Sequence, residues 1–291
     1  MTKEDIQKLL ETKEEFRVLI ERPFNTIYES NTLVVKIAKP EIFPWQIKKF
    51  TREKMFFEHI KNSIHELKVP EIVLIDESKT KTPYDFMVMK KVEGITLWSF
   101  IKQNPGEIDL LQMAGKTIAN IHSITLNEQE YGLLNNKNYK SWEKYLSSNL
   151  SALERTLFDK EKPEWVQRTK EIITKKLQDM NAPRSLLHND VNLGNFIINP
   201  NSKTLHLIDG EVACVGDPMY DLGRFNLYTP QREIVEEFKR GYSEIADINE
   251  QKIDIYSIIT GLEMVYLFAN DPRRISAFNE KIIESIDRIS K

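Results

Sequence analysis

Leu186-Leu-His188-Asn-Asp190-Val-Asn-Leu-Gly-Asn195-Phe-Ile-Ile-Asn-Pro200-Asn-Ser-Lys-Thr-Leu-His-Leu-Ile-Asp209 carries two short apolar runs, Phe196 to Ile198 and Leu205 to Ile208, on either side of a Pro-Asn-Ser turn. The pattern predicts an antiparallel hairpin. Pairing across the turn would put Asn195 and Asp209 at the same open end, about 5 Å apart as cross-strand neighbours are. Asp190 stands just ahead of that end in the sequence. Three oxygen-bearing side chains would thus gather beside a hydrophobic hairpin, and hard oxygen ligands of this kind suit Mg²⁺. Taken singly, each reads as an ordinary loop residue satisfying turn hydrogen bonds. Together they offer one carboxylate for an acceptor hydroxyl and an amide plus a carboxylate for metal, the spacing that phosphoryl transfer needs.

Working outward, Leu33-Val-Val-Lys36-Ile-Ala38 places a lysine inside an otherwise apolar strand, on the face shared by Val34 and Ala38. A buried ammonium is costly unless paired, so Lys36 either snorkels from an edge strand or meets an anion. The next helical segment offers one. Ile47, Phe50, Phe57 and Ile60 form an apolar stripe, and Glu53 falls in the middle of it. A carboxylate facing the core asks for a cation, as Lys36 asks for an anion. The alternative is a Glu53 rotated to the exposed flank beside Arg52 and Lys54.

Composition narrows the classes. The 291 residues have a hydrophobic fraction of 41% and a net charge of -3, with no block of Lys and Arg. They suit a folded core, and they give no footprint for nucleic acid or an anionic membrane. The charged start and the lack of a long apolar run lead to the expectation of a cytosolic protein. Cys214, the single cysteine, sits among apolar residues and reads as an inert buried thiol. The five histidines form no HExxH pair, and neither a Gly-x-Ser-x-Gly elbow nor a P-loop is present.

Strand-rich texture fills the first part of the chain. Strands are expected over Phe16 to Ile20, Thr32 to Ala38, Glu71 to Ile75 and Asp85 to Met89, with helices over Lys3 to Glu15 and Gln46 to Lys61. Past Lys90-Lys-Val-Glu-Gly94 the texture turns helical, with periodic segments at Leu110 to Ile124, Trp142 to Leu157, Pro163 to Met180, Gln231 to Ile245 and Gln251 to Ala269. The reading is an α+β chain of two lobes, a small β-rich one over 1–92 and a large helical one over 93–291.

His188-x-Asp190-x4-Asn195, Ile208-Asp209 after a hairpin, and Gly216-Asp217-Pro218-Met-Tyr220-Asp221-Leu222 resemble the aminoglycoside phosphotransferase and choline kinase group of kinase-like enzymes. Lys36, Glu53, the Val92-Glu-Gly94 segment and the Ala114 to His122 helix extend the match over most of the chain. The resemblance implies a protein-kinase-like two-lobed fold and assigns roles. Asp190 would orient or deprotonate the acceptor hydroxyl, Asn195 and Asp209 would bind Mg²⁺, Lys36 would hold the α- and β-phosphates, and Glu53 would anchor Lys36. His188 would support the catalytic loop, with Asp217 and Asp221 tying in the following segment. The strand from Met87 to Lys91, Met89 and Lys91 included, would present backbone groups to the purine of ATP or GTP.

Two departures stand out. The turn from Glu21 to Ile27 lacks glycine, so its backbone cannot approach phosphates as a Gly-rich loop does, although Asn25 and Thr26 could supply donors. Gly210-Glu211 follows Asp209 where a protein kinase has Phe-Gly, and no Ala-Pro-Glu segment follows, which disfavours protein substrates. The leading expectation is a nucleoside-triphosphate-dependent O-phosphotransferase for a small molecule, an aminoglycoside being the first guess. Trp142, Glu211, Asp217, Glu263 and Tyr266 are candidates to line its acceptor site. The rivals are a metabolic kinase for choline, a sugar or an amino alcohol, and a relative that binds a nucleotide or a partner without turnover. The sequence sets no oligomeric state.

Overall fold

The computed structural model describes residues 2–41, 43–126, 129–157, 175–176, 182–268 and 271–289. The helix expected over Pro163 to Met180 lies almost wholly outside them. The chain is α+β and forms two compact units, one of Met1–Gln103 with Gly194–Val212, the other of Asn104–Leu193 with Ala213–Lys291.

In the first unit β1 (Arg17–Glu21), β2 (Asn25–Glu29), β3 (Leu33–Ala38), β4 (Ile72–Asp76) and β5 (Phe86–Lys90) make an antiparallel sheet in the order β1-β2-β3-β5-β4. The two-residue period of a strand sorts its side chains. Val35 and Ile37 join Phe86 and Val88 on one face, where Ile6 of α1 (Lys3–Leu9) and Phe16 complete a core. Val34 and Ala38 turn the other way, with Met87 and Met89, against Phe50 of α2 (Lys49–Ser63). Lys36 shares that second face by register.

β2 is a strand where the sequence suggested only a turn, because its buried ends are polar. Asn25 and Glu29 are both buried, and each reaches a lysine. The turn shrinks to Arg22–Phe24, closed by the Arg22 amide donating to the Asn25 carbonyl at 2.8 Å. α1 is shorter than its periodicity implied and ends at Leu9. Ile47 stands before α2 and is 54% exposed, while Phe50, Phe57 and Ile60 are buried as the stripe required. With no side-chain N-cap of its own, α2 is capped by Glu77, which accepts from the Phe50 amide at 2.9 Å and the Thr51 amide at 3.2 Å.

After β6 (Ile95–Thr96) comes α3 (Leu97–Gln103). The predicted hairpin folds back onto β6 as β10 (Phe196–Ile198) and β11 (Leu205–Leu207). Gly94 makes that approach possible. Its φ is +134°, and a Cβ there would stand 2.2 Å from the Ile198 carbonyl oxygen.

The second unit holds α4 (Ile108–His122), β7 (Tyr131–Leu133), β8 (Asn136–Tyr139), α5 (Trp142–Leu157), β9 (Ser185–Leu187) and β12 (Cys214–Gly216). The strands pair in the order β8-β7-β12-β9. They are too short to carry a visible alternation in sequence. α6 (Met219–Tyr228), α7 (Arg232–Ser243), α8 (Glu250–Leu267) and α9 (Pro272–Ile289) follow. α8 is buried from Ile253 to Tyr266 and forms the centre of this unit. No helix among the described residues is long and apolar enough to cross a membrane.

Candidate active site

The hairpin register is Phe196 opposite Leu207 and Ile198 opposite Leu205, and the Ile208 amide donates to the Asn195 carbonyl at 2.9 Å. Asn195 and Asp209 therefore leave the same end of the hairpin. Asp209 has a φ of 69°, a left-handed conformation that costs energy for a residue with a Cβ and that Asp tolerates better than most. Strain of this kind is characteristic of functional positions.

Lys36 reaches that end from β3. Its Nζ donates to Glu53 Oε1 and Oε2, each at 2.9 Å, and to Asp209 Oδ1 at 2.8 Å. Lys36 is 4% exposed and Glu53 0%, so Glu53 takes the core-facing position rather than the flank beside Lys54. Burial alone would lower the pKa of Lys36, but the carboxylates of Asp209, Glu53 and Glu211 outweigh it and hold the ammonium charged. Burial pushes the Glu53 carboxyl up, and Lys36 pulls it back in part.

Glu211 is a member that the sequence did not assign to this cluster. One carboxylate oxygen each from Glu53, Asp209 and Glu211 lie within 4.8 Å of one another. Such crowding of like charges is unfavourable unless cations offset it. Lys36 supplies one, and Lys49 stands 3.3 Å from Glu211 Oε2. Arg52, 1% exposed, fixes the neighbouring backbone by donating to the Glu211 carbonyl at 2.6 Å and the Trp45 carbonyl at 2.8 Å. A set of hard carboxylate oxygens, with the amide of Asn195 on the same hairpin end, fits a Mg²⁺ ion.

Met89 and Lys91 are not part of this cluster. Met89 is buried in the core against α2, and the Lys91 amide donates to the Thr32 carbonyl at 2.7 Å. The Lys91 ammonium pairs with Glu29 Oε2 at 2.7 Å.

In the second unit, β9 delivers His188, Asn189 and Asp190. The His188 and Asn189 amides donate to the two oxygens of Asp221 at 2.9 and 2.8 Å. Asp221 is fully buried and also meets His122 Nε2 at 3.0 Å, while His122 Nδ1 lies 2.9 Å from the Tyr242 hydroxyl. Burial alone would raise the pKa of Asp221, but the hydrogen bonds from the His122 ring and the His188 amide keep it low. Asn189 has a φ of 62°, so the loop is bent sharply over this anchor. The Asp190 amide donates to His188 Nδ1 at 3.2 Å, and Asn192 Nδ2 donates to the Asp190 carbonyl at 3.0 Å.

The other acidic candidates in this unit are engaged within the fold. Glu263 accepts from the Tyr220 hydroxyl at 2.9 and 2.8 Å and from Arg224 Nη2 at 2.7 Å. Asp217 accepts from Lys252, Tyr256 and the Met219 amide. Trp142 and Tyr266 are each 2% exposed, and Trp142 Nε1 donates to the Tyr256 hydroxyl at 3.1 Å.

The model of the phosphotransferase enzyme family matches residues 22–254. The chain belongs to that family. That family is one of phosphotransferase enzymes. The fold of the chain is that of a thermostable mutant of the aminoglycoside phosphotransferase APH(4)-Ia in a ternary complex with ADP and hygromycin B, at a TM-score of 0.79, 14% identity and 98% coverage of each chain. Choline kinase LicA from Streptococcus pneumoniae is similar too, with a TM-score of 0.70 and 18% identity over 98% of this chain and 99% of that one. A human protein, acyl-CoA dehydrogenase family member 11, is 24% identical over 217 residues, or 68% of this chain. The chain spans about a quarter, 26%, of that relative's length.

Proposed function

We propose that the chain transfers the γ-phosphoryl group of Mg²⁺-bound ATP or GTP to a hydroxyl of a small molecule. The observation that carries the reading is the buried Lys36 ammonium held between Glu53 and Asp209. In the α+β kinase-like fold a lysine so fixed holds the α- and β-phosphates, and Glu53 keeps it from collapsing wholly onto Asp209. Asn195, Asp209 and Glu211 would hold Mg²⁺, which when bound neutralises charge on the phosphates. Asp190 orients the acceptor hydroxyl and takes its proton as the new O–P bond forms and the bond to the bridging β,γ-oxygen breaks. The Asp221 anchor holds the loop that carries Asp190, so the carboxylate is positioned before substrate arrives.

The acceptor is proposed at the level of a hydroxylated small molecule. An aminoglycoside is the first to test, supported by the hygromycin B seen with a structural neighbour. A cationic acceptor gains no support from Glu263 or Asp217, whose charges are met inside the fold. Choline is the second to test, on the likeness to LicA.

The division of labour predicts that Asp190→Ala abolishes transfer and leaves Mg²⁺-nucleotide binding largely intact, whereas Asp209→Ala weakens that binding itself. Calorimetric titration with Mg²⁺-ADP separates the two. Equal loss of binding in both variants would contradict the assignment.

A further inference from the structure

Lys49 is the buried cation that the assigned roles leave unused. It is 1% exposed and opens α2, where the positive end of the helix dipole makes a buried ammonium additionally unfavourable. Its ammonium nonetheless has three oxygen partners. Nζ donates to Asn25 Oδ1 at 2.5 Å and to the Phe24 carbonyl at 3.0 Å, and it stands 3.3 Å from Glu211 Oε2. Asn25 closes the triangle, its Nδ2 donating to Glu211 Oε2 at 2.9 Å.

The three partners have a common meaning. Phe24 ends the turn between β1 and β2, the one that lacks glycine, and Asn25 opens β2 directly after it. Glu211 shares its 4.8 Å cluster with Asp209 and Glu53, the two residues that fix Lys36. A positive charge is thus held between the turn and the carboxylates at which the nucleotide phosphates and their metal are expected. A glycine-rich turn would contact phosphates through its backbone. Here a side-chain ammonium occupies the base of the turn instead.

We propose that Lys49 is a second cation of the nucleotide phosphate site, held in place by Asn25 and Glu211, which supplies by charge what this turn does not supply through glycine. The inference rests on the nucleotide-binding reading above. Lys49 acts at a distance, through its field and by keeping Glu211 and the turn together, so it is a positioning residue. Its charge favours the polyphosphate and opposes a bare cation, and that pair of opposite signs distinguishes it from a structural staple.

The test is calorimetric titration of the full chain, as wild type, Lys49→Met and Lys49→Arg, with Mg²⁺-ADP, adenosine and Mg²⁺ alone. In Lys49→Met we expect Mg²⁺-ADP to bind about tenfold more weakly, adenosine to bind as in wild type, and Mg²⁺ alone to bind at least as tightly. Lys49→Arg should recover most of the Mg²⁺-ADP affinity. Parallel weakening of adenosine and Mg²⁺-ADP, no change in either, or weaker binding of Mg²⁺ alone would overturn the proposal. If Lys49→Met unfolds, Lys49→Gln replaces it, since its amide can still donate to Phe24 and Glu211 while the charge is gone, and the same outcomes apply. A wild type that binds Mg²⁺-ADP, with Lys49→Met binding it equally well, overturns this inference alone. A wild type that binds neither Mg²⁺-ADP nor Mg²⁺-GDP overturns the nucleotide reading as well.

Discussion

Each of the two units contains buried carboxylates, and they are handled in opposite ways. In the first, Glu53, Asp209 and Glu211 crowd their oxygens within 4.8 Å, and Lys36 and Lys49 stand against them. Asp209 remains 28% exposed by its side chain. In the second, Asp221 and Glu263 each have their own donors, backbone amides and His122 for one, Tyr220 and Arg224 for the other. Like charges packed together are costly and make sense where a ligand with positive charge completes them. Single carboxylates in closed hydrogen-bond networks are scaffold. Burial alone does not separate the two kinds; the neighbours of each oxygen do.

The largest effect is expected at Lys36. Lys36→Met leaves three carboxylates around one point with one cation fewer, and we expect Mg²⁺-ADP affinity and turnover to fall by about a hundredfold or more, while the protein stays folded. Nucleotide titration beside a thermal melt checks this. A fully active variant would remove the reason for setting the two regions apart.

A smaller effect on turnover, and a larger one on stability, is expected for Asp221→Asn. Breaking the buried bonds to His122 and the loop amides should cost about 3 kcal/mol in a denaturant titration. The folded-state pKa of Asp221 is lowered, so its contribution is fully present above the ordinary carboxyl range near pH 4 and is lost as pH falls through the folded value. Stability against pH should therefore lose part of its acid-side slope in the variant. An unchanged slope would show that Asp221 is not the anchor described.

Much of the first cluster was legible in the sequence because local periodicity points at it. Lys36 interrupts an alternating strand, Glu53 interrupts a helical stripe, and the hairpin around Asn195 and Asp209 is bounded by a clear turn. Glu211, Lys49 and Asn25 were not legible as a group. Asn25 and Glu211 are 186 residues apart in the chain, and no local pattern marks a contact of that span. β2 escaped because its buried ends are Asn and Glu, and the helical spacing that included Ile47 ran one turn beyond the true start of α2. In the second unit the anchoring of the loop by Asp221 was foreshadowed by the Asp217-Pro218 to Asp221 segment, but its link through His122 to Tyr242 depends on three separate elements meeting.

On the function proposed above, the chain phosphorylates a hydroxyl with Asp190 acting on the acceptor. The most direct measurement incubates wild type and Asp190→Asn with Mg²⁺, ATP or GTP, and a panel of aminoglycosides, choline, sugars and amino alcohols, followed by mass spectrometry of the acceptors. One added phosphoryl group on an acceptor is expected with wild type, and loss of that product in Asp190→Asn, which still binds nucleotide. Equal product from both proteins, or no phosphorylated acceptor from a wild type that fails to bind either nucleotide, would contradict that function.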